Sequence, residues 1–125
     1  MRSDAFRRAA EAKDFSQVAE LFDEDVTFKS PVVYKPYEGR EALGMILSAV
    51  VQVFEGFRYV EQVESGDTAV LVFEANVGEK AVQGVDILRF GESGRIRELI
   101  VMVRPMSGMH ALAERMKAML EAAGA

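Results

Sequence analysis

With 125 residues, half of them apolar and 28% charged, the chain has the length of one domain and enough apolar surface for a core, which excludes multidomain enzymes, repeat arrays and compositional disorder. It has no cysteine and one histidine, so disulfides, thiolate metal sites and multi-histidine sites within one chain are excluded. A net charge of -5 without a block of Lys or Arg argues against nucleic acid, and no apolar run approaches a membrane span.

Met1-Arg2-Ser3-Asp4 leads straight into a helical pattern rather than an apolar leader, so no signal peptide and a cytoplasmic location are expected. Ser3 is placed to cap a first helix carrying Phe6, Ala9 and Ala10 on one stripe. Asp14 with Gln17 has capping-box spacing for a second helix carrying Val18, Leu21 and Phe22, ended by Asp23-Glu24-Asp25. Val26 to Ser30 then alternates as a first strand, with Val26, Phe28 and Ser30 on its inner face. Pro31 and Pro36 forbid regular structure between them, so Pro31 to Glu38 is expected as a loop displaying Tyr34 and Tyr37.

From Gly39 to Phe54 the spacing predicts a third helix, buried along Ala42, Met45, Ile46, Ala49, Val50, Val53 and Phe54. Four β-rich stretches follow, at Phe57 to Glu64, Thr68 to Val77, Ala81 to Phe90 and Arg95 to Arg104, joined by short turns rich in Gly, Asp and Ser. Pro105 ends the last strand. Met106, Met109, Leu112, Met116, Met119 and Leu120 then form the apolar stripe of a C-terminal helix. The expected fold is a single α+β domain, a cone-shaped roll in which a curved antiparallel or mixed β-sheet wraps around the N-terminal helices, with a C-terminal helix closing the chain.

Ala69 to Phe73 and Leu99 to Val103 are apolar at both parities, so the sheet should be covered on both faces. Three helices cover one face. The other is expected to be covered by a second copy, a homodimer through the sheet to which the Met-rich helix contributes, or else by that helix within the monomer.

An apolar cone open at one end is a ready pocket for a small apolar ligand. Pairing the last two strands across Gly91 to Gly94 sets Phe90 opposite Arg95 and Asp86 opposite Leu99, which places Asp86 among Gly84, Leu88, Leu99, Val101 and Val103. A carboxyl group buried there without a cation should have a raised pKa, which makes Asp86 the candidate acid; the alternative is an Asp86 that bonds a loop and merely pins the sheet. Ser30 reads as a ligand donor or as an ordinary strand terminator. Tyr34 and Tyr37 read as phenolic donors at the mouth or as aromatic anchors of their loop. Glu74 and Asn76 read as pocket polars or as the point where their strand meets solvent, and His110 as a surface residue. Phe6, Phe28, Leu88, Leu99, Val101 and Val103 complete the expected ligand contacts. No metal site and no cofactor are expected, and no glycine-rich phosphate loop opens a helix.

Several strings then point the same way: Phe6 to Asp14, Val18-Ala-Glu-Leu-Phe-Asp-Glu-Asp-Val-Thr-Phe28, Ser30-Pro31, Tyr37-Glu-Gly-Arg-Glu-Ala42, Gly84-Val-Asp-Ile-Leu-Arg-Phe90 and Gly94-Arg-Ile96. In this order they resemble the nuclear transport factor 2-like superfamily, in particular its SnoaL-like and ketosteroid-isomerase-like branch, over nearly the whole chain. The resemblance implies the cone fold but no single activity, because that scaffold hosts isomerases, cyclases, hydrolases, dehydratases and non-catalytic subunits. It places the isomerase proton-shuttling carboxylate at Ser30 and a tyrosine donor at Phe6, so both are missing here. It places an acid held protonated by its apolar site at Asp86, which is present; ketosteroid isomerase is itself the standard illustration of such an acid. The resulting expectation is a pocket protein for a small apolar carbonyl-type compound, either a cofactor-independent isomerase, cyclase or hydrolase/dehydratase, or a non-catalytic binding or dimeric assembly module.

Overall fold

The computed structural model describes residues 1–122. Strict alternation of burial along Thr68–Val77 and Val82–Phe90 sets the architecture, because every second side chain of these strands enters one core and the rest face away. The elements in chain order are α1 (Asp4–Glu11), α2 (Val18–Leu21), β1 (Phe22–Lys29), β2 (Tyr37–Glu38), α3 (Arg40–Val53), β3 (Glu55–Ser65), β4 (Thr68–Val77), β5 (Lys80–Phe90), β6 (Ile96–Arg104) and α4 (Met106–Ala122). The six strands form one sheet in the order β2-β1-β6-β5-β4-β3, with β1 parallel to β6 and every other pair antiparallel. Register shifts in β1–β6, β3–β4 and β5–β6 bend the sheet around its helices, as bulges do. The α+β roll with a curved mixed sheet is therefore the observed fold.

Several local expectations are corrected. Phe22 is not the end of a helix: α2 is a single turn, and β1 begins at Phe22 and runs through Asp23-Glu24-Asp25. Asp14 accepts a hydrogen bond from the Ser16 amide at 3.0 Å, so it closes its own turn instead of capping α2. Ser3 stands at the start of α1, but its hydroxyl donates to Glu64 and accepts from Gln62, which ties α1 to β3. The buried face of α3 is Leu43, Gly44, Leu47, Val51 and Val53; of the expected stripe Val53 and the following Phe54 are buried, Ile46 and Val50 line the cavity, and Met45 is exposed. That helix is apolar nearly all round, and what turns it is Gly44 packing against Val18, where a Cβ would come 2.9 Å from the valine side chain.

The sheet's inner face holds Leu71, Phe73, Leu88 and Leu99 in a continuous core with Phe6, Phe22, Val26 and Leu43. The helix α4 packs on this inner side, where Gly108 lies against Val82 and Leu112 is buried. It therefore does not wrap the outer face, which removes the alternative of a monomer covered on both sides. That outer face carries two apolar rows, Val63, Val70, Ile87 and Ile100 in one and Val72, Val85 and Met102 in the next. Glu74 and Asn76 are on the same outer side, with Glu74 paired to Arg58 at 2.6 Å, so neither is a pocket group.

Gly84 is where the inner ring packing demands a missing side chain. A Cβ there would strike the ring of Phe73 and lie 2.7 Å from the Met102 carbonyl oxygen. Gly84→Ala should therefore cost about 2 kcal/mol or more, read as a lower urea midpoint at unchanged slope.

Candidate functional site

The helices, the 31–33 loop and the inner face of the sheet enclose a cavity of about 410 Å³. Its wall is aromatic because α1, β1, β3 and β4 turn Phe6, Phe28, Phe57 and Phe73 inward and the α3–β3 junction adds Phe54. Phe57 stacks on Phe73 with ring centroids 4.9 Å apart, and Phe54 meets Phe73 edge-on at 5.4 Å. Exposed Val32, Val33, Tyr37, Lys117 and Glu121 mark the open end, while the fully packed core closes the other.

Asp86 enters this wall from β5. The observed ladder pairs Asp86 with Val101 and Leu88 with Leu99, two residues away from the expected register. One of the two residues comes from Phe90 pairing with Ile96, and the other from a bulge that skips Arg97. An even shift keeps every side chain on its face, which is why Asp86 points inward although the counted partner was wrong.

Tyr59 reaches Asp86 from two strands away. It pairs with Phe73 on β4 and donates its hydroxyl to Asp86 Oδ2 at 2.6 Å. Among the described residues no cation pairs with Asp86, and burial pushes its carboxyl up to about 7, with the Tyr59 hydrogen bond pulling the other way. Burial, and then the neighbouring Asp86 charge, hold the Tyr59 hydroxyl well above its ordinary value, so it stays a donor. Among the described residues no buried side-chain oxygen is both sealed and without a partner; Asp86 Oδ1 has no protein partner, so it opens onto the cavity. This is a carboxyl group whose burial favours the protonated form, with one oxygen fixed by a phenol and the other open to the cavity.

Of the other expected contacts, Phe6, Phe28, Ser30, Tyr37 and Val101 line the cavity. Phe6 supplies only apolar surface, and Tyr37 stacks on Phe28 at 6.0 Å near the mouth. The Ser30 hydroxyl accepts from the Val32 amide at 2.9 Å and sits near that of Val33, which makes it a terminator of its strand as well as part of the wall. Four placements are corrected. Tyr34 is 100% exposed on the far side of the loop, because the backbone between Pro31 and Pro36 turns it outward. Leu88 and Leu99 pair with each other one row beyond Asp86 and are packed solid in the core. Val103, opposite Gly84, lies outside the cavity in a groove near Pro31 and Met106.

Tyr59 is the residue that spacing arguments missed. It is the only tyrosine in the four β-rich stretches of the sequence, and a buried tyrosine needs a partner for its hydroxyl. That signal was present, but finding the partner required the register of β3, β4 and β5 together.

The SnoaL-like domain family matches residues 4–99. A solved steroid delta-isomerase from Pseudomonas aeruginosa is 41% identical and covers 97% of this chain and 90% of its own, with a TM-score of 0.93. An uncharacterised protein with a cystatin-like fold from Silicibacter pomeroyi DSS-3 is 33% identical, covering 94% of this chain and 83% of its own at a TM-score of 0.90. An NTF2-like protein of unknown function from Mesorhizobium loti, 23% identical, covers 83% of this chain and 88% of its own at 0.74 and shares the cone fold. Among curated proteins, none matches.

The Asp86 environment makes a checkable statement about stability. Its value is raised from 3.8, so the folded chain keeps a proton that the unfolded chain has already released. The stabilising contribution is complete below about pH 4 and is lost as pH rises through about 7, a change on the order of 4 kcal/mol. Asp86→Asn should therefore gain stability relative to the parent as pH goes from 4 to 8, measured by urea unfolding at each pH. A constant difference across that range would show that the carboxylate is ionised without cost.

Proposed function

The chain belongs to the SnoaL-like domain family, and on that premise we propose that its cavity takes a compact, mostly apolar compound bearing a carbonyl group, on whose oxygen Asp86 acts as acid or hydrogen-bond donor. The observation that carries this reading is a carboxyl group buried in an aromatic cavity with one oxygen held by Tyr59 and the other free. A carboxylic acid kept neutral in a dry site is worth more to a developing oxyanion than the same donor in water. The steroid delta-isomerase likeness supports an isomerase-type reaction class.

The chemistry follows from what the cavity holds. Ser30 is no base, since an unassisted hydroxyl that already accepts from the backbone cannot remove a proton from carbon. Glu121 is at the exposed rim, so among the described residues Asp86 is the only carboxyl group in the interior of the cavity. With a value of about 7, it is present at neutral pH both as the acid that donates and as the carboxylate that accepts, the range in which general acid–base catalysis is most effective. Proton transfer, or addition and loss of water, without a cofactor is the class of reaction this supports, as in an isomerase, cyclase or hydrolase/dehydratase. Steroid isomerisation itself is disfavoured, because neither a second carboxylate at Ser30 nor a phenol at Phe6 assists.

A bicyclic conjugated enone is a suitable probe. Binding should red-shift its absorption, weaken above pH 7 as Asp86 ionises, and lose the shift in Asp86→Asn; Tyr59→Phe should move the pH midpoint upward, because the hydrogen bond that favours the anion is gone. Uptake of solvent deuterium next to the carbonyl, followed by NMR, tests catalysis. Binding with no exchange assigns the protein to the alternative class, a ligand-binding module.

We further infer that a second copy covers the outer sheet face. Val63 and Met102 are more than half exposed there, beside Val70, Val72, Val85, Ile87 and Ile100 on neighbouring strands, a contiguous apolar surface of the kind that marks an interface. Sedimentation at micromolar concentration should give about twice the 13.8 kDa chain mass, and Ile87→Glu should give the monomer. A stable monomer of the unmodified chain would refute the inference.

A further inference from the structure

The polar groups of the cavity are divided between its two ends. Asp86 and Tyr59 are buried in its wall, and the side chains at the mouth include Ser30, Tyr37, Lys117 and Glu121. Of these, the Ser30 hydroxyl is engaged by the 31–33 backbone. Among the described residues Lys117 is the only cationic side chain that lines the cavity. Lys35, on the mouth loop, does not line it, and three further cations are already held. Lys29 pairs with Glu98 at 3.1 Å on the outer face, Lys13 donates to the Phe54 carbonyl at 3.1 Å, and Arg115 faces Glu55 at 3.8 Å. Lys117 makes no ion pair among the described residues, in a chain whose net charge is -5.

Leu112 is the buried cavity-lining residue of α4, and Lys117 stands one turn of helix nearer to it than Glu121 does, so Lys117 is the inner of the two rim charges. Its flexible four-carbon stem carries three donors and can follow a ligand group over several ångströms, whereas Glu121 can only repel an anion.

We propose that Lys117 reads the outer end of the ligand, so that the compound accepted by this cavity is an oxo acid: an apolar body with its carbonyl oxygen at Asp86 and a carboxylate at Lys117. This deepens the reading of the cavity as a carbonyl-compound site and rests on it. Lys117 is a specificity-determining residue in this scheme, remote from the reacting atoms. Glu121 limits the same preference by opposing an anion at the rim.

Two probes that differ only at the far end separate the ideas: 2-acetylnaphthalene and 6-acetyl-2-naphthoic acid. The acid should bind the intact protein about fivefold more tightly at low salt, the scale of a partly exposed ion pair, and the advantage should shrink as salt is added. Lys117→Gln should abolish the advantage without weakening the neutral ketone, and Glu121→Gln should enlarge it. Asp86→Asn should weaken both probes alike. Equal affinities in the parent protein, or an advantage that survives Lys117→Gln, would overturn the assignment of Lys117 while leaving the carbonyl site standing. Failure of both probes to bind, or binding indifferent to Asp86→Asn, would instead overturn the cavity reading and the Lys117 assignment with it.

Discussion

A carboxyl group in an apolar enclosure is expensive to ionise, and much of this molecule is arranged around that fact. Asp86 has a phenol for a partner, so the interaction that holds it does not cancel its charge. A cation in the same place would have pulled the acid toward the ordinary carboxylate range. Tyr59 contributes one hydrogen bond, fixes Oδ2 and leaves Oδ1 free. The cost in folding stability at neutral pH is of the kind that functional sites retain and scaffolds lose.

The sheet makes this arrangement possible by treating its two faces differently. Phe73 and Gly84 face each other on the inner side, and the missing side chain of Gly84 lets the Phe73 ring lie across it and support Phe57 and Tyr59. A register shift in β3 lies directly beside Tyr59, which reaches Asp86 across a whole strand to within hydrogen-bond distance. The α4 helix, apolar toward the cavity and charged at its rim, completes the wall and sets the polarity of the mouth.

Membership in the SnoaL-like domain family fixes the scaffold and not the reaction. At the positions where the isomerase pattern has a second carboxylate and a tyrosine, this chain has Ser30 and Phe6. Ser30 turns its hydroxyl to the backbone, and Phe6 joins the aromatic wall with Phe15 and Phe22. Among the described residues the polar side chains buried in the cavity wall are Asp86 and Tyr59, and the rest of the buried wall is apolar.

β-rich composition and short turns located the four hairpin-connected strands, and counting across the Gly91–Gly94 turn gave the inward parity of Asp86, because parity survives any error of an even number of residues; the correct partner, Val101, depended on a bulge that spacing does not reveal. Helical periodicity located α3 but only part of its buried face, since a helix apolar on most sides takes its orientation from what it meets, here Val18 against Gly44. Strand β1 began at Phe22 because pairing with Ile96 outweighed a local helical preference. The composition excluded thiolate metal sites and argued against nucleic acid, and the prolines marked the loop at the mouth. Only the tertiary structure could decide that Tyr59 meets Asp86, that Tyr34 faces outward, and that α4 lines the cavity and leaves the outer sheet bare. Each of these is a contact between residues far apart in the chain, and contacts of that kind are set by packing, which local pattern does not encode.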